Sequence, residues 1–194
     1  TGSANAQQNA STPPSPPVFR FTESRLFEKI SNIVSPFNLP LEFGTQQIAI
    51  SPTSGQATLI DADHNFYSFR DSSRALVRNT RIAAPESLSG DSIRSFIIDK
   101  DENYWISSYF ENSVWRYQRN SWTQIPHDWS SGSGSITIAR SPDNTIYATG
   151  TDGQLYRYDT SRQRFTQVTM PLPNGRINGI AISADNHFWV TSDV

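Results

Sequence analysis

The feature that most constrains this chain is an internal repeat of short apolar segments. Four such segments start at Ile48, Phe96, Ile138 and Ile180, with spacings of 48, 42 and 42 residues. A polar stretch follows each one (SPTSGQ, DKDEN, SPDNT and SADNH), and then a second short apolar segment. Ser, Pro, Asp, Asn and Gly favour tight turns for local backbone reasons. The repeat therefore predicts a series of β-hairpins.

The stretch 136–168 shows the complete unit, with strands predicted at 136–140, 145–149, 154–158 and 165–168. Third strands share an aromatic pattern, FYSF at 66–69, VWRY at 114–117 and LYRY at 155–158. Four hairpin-linked strands form one antiparallel sheet. On this basis the chain contains complete units at 48–78, 94–125 and 136–168.

The fourth unit is divided between the two ends of the sequence. Residues 177–194 supply a first and second strand, while VFRF at 18–21 matches LYRY and FEKI at 27–30 matches FTQV at 165–168. Sheet arrays that close into a ring use such shared units to cover unpaired edges. A period of about 42 residues with four strands is typical of propeller blades. We predict an all-β fold over 18–194: a small β-propeller of about four four-stranded antiparallel blades, the last blade completed by N-terminal strands.

The hairpin sequences also resemble known families. IIDKDENYWI at 97–106 and IAISADNHFWV at 180–190 resemble the repeats of two-component-regulator and streptogramin-lyase-like propellers, and IYATGTDGQLYRY at 146–158 resembles tectonin repeats of propeller lectins. The resemblance covers 18–194 and implies a propeller, but members of these families usually have five to eight blades. Three interpretations stay open: a closed four-bladed ring, a segment of a longer protein, or a half-ring that pairs with a second copy. The complementary ends favour the closed ring.

Composition narrows the classes of function. The net charge of −2, without long runs of one sign, argues against nucleic acid as a partner, and no stretch has the roughly 20 apolar residues of a membrane-spanning helix. There is no Cys, which excludes disulfides and thiolate chemistry. Residues 1–17 are polar and Pro-rich, as expected of a disordered tether. Ala4-Asn5-Ala6 has the small-x-small form of a signal-peptidase site, although no apolar segment precedes it. Two interpretations stay open: a processed end, which predicts an extracytoplasmic location (secreted, periplasmic or surface), and an ordinary small-residue linker.

No catalytic, metal or cofactor site is predicted. Asp99-x-Asp101-x-Asn103 has the spacing that opens a calcium loop, but it lacks the following Gly and the closing Glu, so a plain hairpin turn is favoured. A streptogramin-lyase-like site would need His and Glu converging on a metal. His64, His127 and His187 occupy non-equivalent positions in three repeats, which does not support that chemistry.

Residues that break the repeat are the candidates for function. The aromatic residues Tyr109, Phe110 and Trp129 have no repeat equivalents and lie in loops beside acidic or imidazole side chains. The two loop types involved share one end of a propeller, where ligands usually bind. The predicted ligand-binding set is Tyr109, Phe110, Glu111, His127, Asp128, Trp129 and Asp152.

These residues predict a non-catalytic, lectin-like recognition module that binds a glycan or a protein partner. Self-association is expected if the ring is incomplete. Two alternatives remain: a lyase- or hydrolase-like propeller enzyme with an unrecognised acidic site, and a structural component of a larger assembly.

Overall fold

The computed structural model describes residues 45–70, 75–88, 93–108, 111–130, 136–169 and 176–193, all within the compact unit Leu39–Val194. These residues form short β-strands and one turn of 3-10 helix, Glu86–Leu88. The strands are β1 (Thr45–Ile50), β2 (Ala57–Asp61), β3 (Asn65–Arg70), β4 (Ala75–Ala83), β5 (Ile93–Ile98), β6 (Tyr104–Ser108), β7 (Val114–Gln118), β8 (Ser121–Gln124), β9 (Ile138–Arg140), β10 (Ile146–Thr149), β11 (Leu155–Asp159), β12 (Arg164–Gln167), β13 (Arg176–Ile182) and β14 (Phe188–Asp193).

The strands form antiparallel meanders in chain order. Sheet 1 contains β1–β4, sheet 2 contains β5–β8, sheet 3 contains β9–β12, and β13 pairs with β14 in sheet 4. The first hairpins of the four sheets have the same register, with cross-strand pairs Ala49–Thr58, Ile97–Trp105, Ala139–Tyr147 and Ala181–Trp189 at the same place. The sequence repeat is therefore a structural repeat at the level of single residues.

Each sheet has two faces because successive strand residues point to opposite sides. In sheet 2, Phe96 and Ile98 belong to the core shared with sheet 1, whereas Trp105 belongs to the core shared with sheet 3. We call the side toward the preceding sheet the leading face and the side toward the following sheet the trailing face. Between sheets 3 and 4 the same relation holds, since Tyr147 on the trailing face meets Phe188 at 5.0 Å between ring centroids.

The first hairpins are built by one turn pattern. The fourth residue of the turn takes a left-handed conformation in three sheets, with φ of 61° at Glu102, 74° at Asn144 and 64° at Asn186. Asn is among the non-glycine residues that best tolerate this region. Neighbouring turns also bind one another: the Lys100 backbone N–H donates to Oδ1 of Asn144 at 2.7 Å. These contacts hold consecutive sheets in register.

The prediction of a small all-β propeller is confirmed by these stacked antiparallel sheets. Some boundaries differ: β4 extends to Ala83 rather than ending near 78, because a register shift lets Asn65 pair with Ala83. The predicted strands at 18–30 and the tether at 1–17 lie outside the described residues. In the described ranges, no helix has the length and apolar character needed to cross a membrane.

Candidate functional site

Two of the predicted site residues, Glu111 and Asp152, lie at one end of the sheets. Glu111 is exposed in the β6–β7 connection, residues 125–130 link sheet 2 to sheet 3, and Asp152 lies in the β10–β11 connection. Alternating strand directions place the β6–β7 and β10–β11 connections at the end opposite the first hairpins, whereas Asp128 pairs with Arg164, the first residue of β12, which follows the β11–β12 turn at the first-hairpin end. Tyr109 and Phe110 lie outside the described residues. Four of the predicted residues come together with two others, and we call this set the His127 cluster: His127, Asp128, Trp129, Asp152, Tyr156 and Arg164.

Trp129 is the centre of the His127 cluster. Its ring is stacked parallel to the His127 ring, with 3.8 Å between centroids and 3° between planes. Its other neighbours are Tyr156 at 5.2 Å and Phe165 at 5.6 Å between centroids. Because Trp129 is only 5% exposed, it is a core residue of sheet 3 as much as a loop residue. A sugar ring therefore cannot stack on Trp129 in this structure, and the half-buried His127 is the more accessible ring of the pair.

A close approach of two loops shapes the cluster. The β10–β11 connection passes Trp129 at Gly150, where an added Cβ would lie 2.5 Å from Oδ1 of Asp152 and 2.8 Å from Cβ of Trp129. The hydroxyl of Thr151 donates to the Ser130 carbonyl at 2.6 Å. Glycine is therefore required at position 150 for packing, and the two loops are fixed against each other.

Two exposed carboxylates lie at the rim of the cluster. Asp152 accepts a hydrogen bond from the Tyr156 hydroxyl at 2.6 Å and one from the Gln154 backbone N–H at 3.1 Å. Asp128 forms an ion pair with the guanidinium of Arg164 in β12. Both acidic side chains are exposed, so each keeps part of its surface available to a ligand.

Burial sets the charge state of the two titratable rings. It lowers the pKa of His127 below the ordinary value of 6.5, and the opposing effects of a backbone hydrogen bond and of Asp128 do not reverse this. Burial, together with the hydrogen bond to Asp152, raises the pKa of Tyr156. At neutral pH the cluster therefore has a neutral imidazole and a protonated phenol, and its formal charges belong to Asp128, Asp152 and Arg164.

The calcium-like sequence at Asp99 forms a hairpin turn. Its carboxylate accepts hydrogen bonds from the backbone N–H groups of Asp101 and Asn103, from the Asn103 side chain and from Nε1 of Trp105, at 2.8–2.9 Å. Asp61 accepts the same kind of set, ending at the Tyr67 hydroxyl. Both carboxylates are thus occupied by protein donors. Across the described ranges, no group of three His, Asp or Glu side chains is placed to hold a metal ion.

Two members of the cluster were not predicted from the sequence. Tyr156 matches a repeated aromatic position and is buried, which fits its expected core role, but its hydroxyl also binds Asp152. Arg164 lies 36 residues from Asp128, and nothing local links the two positions. The pairing of Tyr156 with Asp152 could have been suspected from the sequence, because the Tyr follows the loop Asp by four residues.

The comparisons with known proteins identify the fold. No family model and no curated protein matches the chain. Among solved structures, it is similar to a streptogramin B lyase with 16% identity and a TM-score of 0.61, over 80% of this chain and 51% of that one. It is also similar to a gluconolactonase from Xanthomonas campestris with 14% identity and a TM-score of 0.54, over 76% and 56%.

A third similar structure is YCF48 bound to a D1 peptide, with 10% identity and a TM-score of 0.51, over 80% of this chain and 49% of that one. The chain thus spans about half the length of the solved structures that it matches. These proteins are β-propellers, and identities this low show a shared fold alone. The described part of the chain has the fold of stacked β-propeller blades.

Proposed function

We propose that the chain is a non-catalytic recognition module that binds a protein partner through the His127 cluster. The observation that carries the proposal is the fixed approach of two loops at Gly150, one bearing the exposed Asp128 and the other the exposed Asp152; we call these two carboxylates the rim. A rigid rim binds without a large ordering penalty, because its side chains are already positioned.

The chemistry of the rim favours a partner segment that carries Lys or Arg. Two carboxylates and one guanidinium leave an acidic balance, and both carboxylates are exposed. Charge-assisted hydrogen bonds from a basic side chain to these oxygens would give both affinity and orientation. A peptide is also the ligand named for YCF48, which is similar to this chain in fold.

A protein partner is favoured over a glycan because of the position of Trp129. Sugar sites commonly use an exposed aromatic ring, and the Trp129 ring is buried against Tyr156 and Phe165. A lyase and a gluconolactonase share the fold, and the enzyme alternative rests on that similarity. The described residues of the cluster supply no further observation in favour of catalysis.

The test measures binding of the purified chain to arrayed 12-residue peptides of three kinds, Lys/Arg-rich, Asp/Glu-rich and neutral, and to a glycan array in parallel. We expect retention on basic peptides, and we expect the double variant Asp128→Asn/Asp152→Asn to bind the best basic peptide at least tenfold more weakly.

The matched control is Asp185→Asn, which removes an exposed carboxylate from the first hairpin of sheet 4, outside the His127 cluster. It should bind like the unchanged chain. Equal losses for control and double variant, no retention of basic peptides, or retention on glycans alone would overturn the proposal.

A further inference from the structure

The leading face of sheet 1 has exposed apolar side chains, and no other described sheet packs on it. Ile48 and Ile50 on β1 are 47% and 63% exposed. Their equivalents in sheet 2, Phe96 and Ile98, are buried against sheet 1. The same two positions are thus buried where a preceding sheet is present and exposed in sheet 1.

Among the sheets that the structure describes, none packs on the trailing face of sheet 4 either. Trp189 on β14 is 68% exposed, whereas Trp105 at the equivalent position of sheet 2 is only 2% exposed. Trp105 is covered by sheet 3, where Tyr158 lies at 4.9 Å between ring centroids. By analogy with Trp105, the exposed Trp189 lies where the leading face of another sheet could pack.

We propose that a second copy of this chain covers both surfaces, with the leading face of each copy docked on the trailing face of the other. Inside the chain, every junction between described sheets joins a trailing face to a leading face. One exposed face is the leading face of sheet 1 and the other is the trailing face of sheet 4. The leading face of one copy can therefore pack on the trailing face of another. Contact within one copy would bury them, yet all three side chains are exposed together.

We expect this arrangement to close as a ring of two copies with two-fold symmetry. A head-to-tail contact forms a ring when the rotation closes and a filament when it does not. Two copies bring together eight sheets, the upper end of the usual propeller range of roughly four to eight blades. The exposed side chains of Ile48, Ile50 and Trp189 are then removed from water, which is favourable for apolar surface. The sheet faces are separate from the His127 cluster, so this inference does not rest on the proposed function.

The test is the molar mass of the purified 194-residue chain by size-exclusion chromatography with light scattering. We expect a particle of twice the 21.8 kDa chain mass. Ile50→Glu and Trp189→Lys should each halve that mass while circular dichroism still shows β-sheet. Val77→Glu changes another exposed apolar residue, one on a different part of sheet 1, and should leave the dimer intact.

A mixing experiment separates head-to-tail docking from any other self-association. When Ile50→Glu and Trp189→Lys chains are mixed, one junction of the ring joins the two changed faces, which carry opposite charges, and the other junction is unchanged. We expect the mixture to dimerise although neither variant does so alone.

Three results would overturn the proposal. The first is a monomer for the unchanged chain, which would leave these faces to sheets of the same chain or of sequence beyond that printed. The others are a dimer that survives both face variants, and a mixture that stays monomeric.

Discussion

Replacing Trp105 by Phe should destabilise the fold more than any surface change, because this ring serves three neighbours at once. Its Nε1 donates to the buried carboxylate of Asp99 at 2.8 Å. The Arg116 guanidinium lies over the ring at 5.4 Å, and Tyr158 of sheet 3 packs edge-on against it. Phe keeps an aromatic ring in place but removes the indole N–H and part of the volume.

The magnitude follows from two contributions. A hydrogen bond to a charged group contributes about 1.5–3 kcal/mol to the free energy of unfolding. Complete truncation of a buried Trp costs roughly 3–5 kcal/mol, and because Phe refills most of that space we assign about 1–2 kcal/mol to lost packing. We therefore expect Trp105→Phe to lower the free energy of unfolding by about 2.5–5 kcal/mol. For a chain of this size that corresponds to a fall in Tm of roughly 5–20 °C.

The assay is urea unfolding followed by far-ultraviolet circular dichroism, in a double-mutant cycle with Asp99→Ser. Ser is the conservative choice because Ser51, Ser141 and Ser183 occupy this turn position in the other sheets and their hydroxyls accept backbone N–H groups. We expect a coupling energy of about 1.5–3 kcal/mol between the two changes. A cost below about 1 kcal/mol for Trp105→Phe, or additive effects, would refute the reasoning.

Two further predictions concern the His127 cluster. Gly150→Ala should cost about 1–3 kcal/mol in urea unfolding, because the added methyl would lie 2.6 Å from Cε2 of Tyr156 and 2.8 Å from Cβ of Trp129. Gly55→Ala adds a methyl at φ of 70° with no atom within 4 Å, so its cost reports backbone strain without crowding; a cost for Gly150→Ala below about 1 kcal/mol would contradict the packing argument. Since burial lowers the pKa of His127 below 6.5, the unfolded chain binds the proton first on acidification. As the pH is lowered from 6.5 toward the pKa of His127 in the folded chain, the free energy of unfolding should decrease. His127→Gln should remove this part of the pH dependence. A variant whose pH profile matches that of the unchanged chain would contradict the prediction.

The arrangement of strands could be predicted from sequence because it depends on local signals. Turns such as Ser141-Pro-Asp-Asn144 require particular backbone conformations, and the flanking residues alternate between two faces. In every repeat, the turn-forming residues and the two-residue alternation of the flanking side chains predict the same hairpin. The register of the first hairpins therefore follows from each local sequence by itself. What the repeat cannot supply is the extent of a strand such as β4, which depends on the register shift opposite Asn65.

The candidate site was less predictable because its geometry depends on contacts between distant segments. Trp129 was recognised as an unrepeated loop aromatic, but its burial depends on Gly150, which lets two loops approach. The pairing of Asp128 with Arg164 joins a loop to a strand in the same way. Residue type and sequence position therefore identified which loop carries the candidate site. The orientation and burial of its aromatic rings could be seen only in the three-dimensional structure.

The repeat has a further use, since equivalent positions act as internal controls for burial. Trp105 and Trp189 have the same residue type, the same cross-strand register and the same face, yet one is buried and the other exposed. Neither propensity nor local backbone distinguishes them, so the difference must come from the presence or absence of a following sheet. Ile98 and Ile50 show the same contrast on the opposite face. In a fold of stacked sheets, a difference in burial between equivalent residues shows which sheet faces lack a packing partner. Here those faces belong to the first and last of the described sheets.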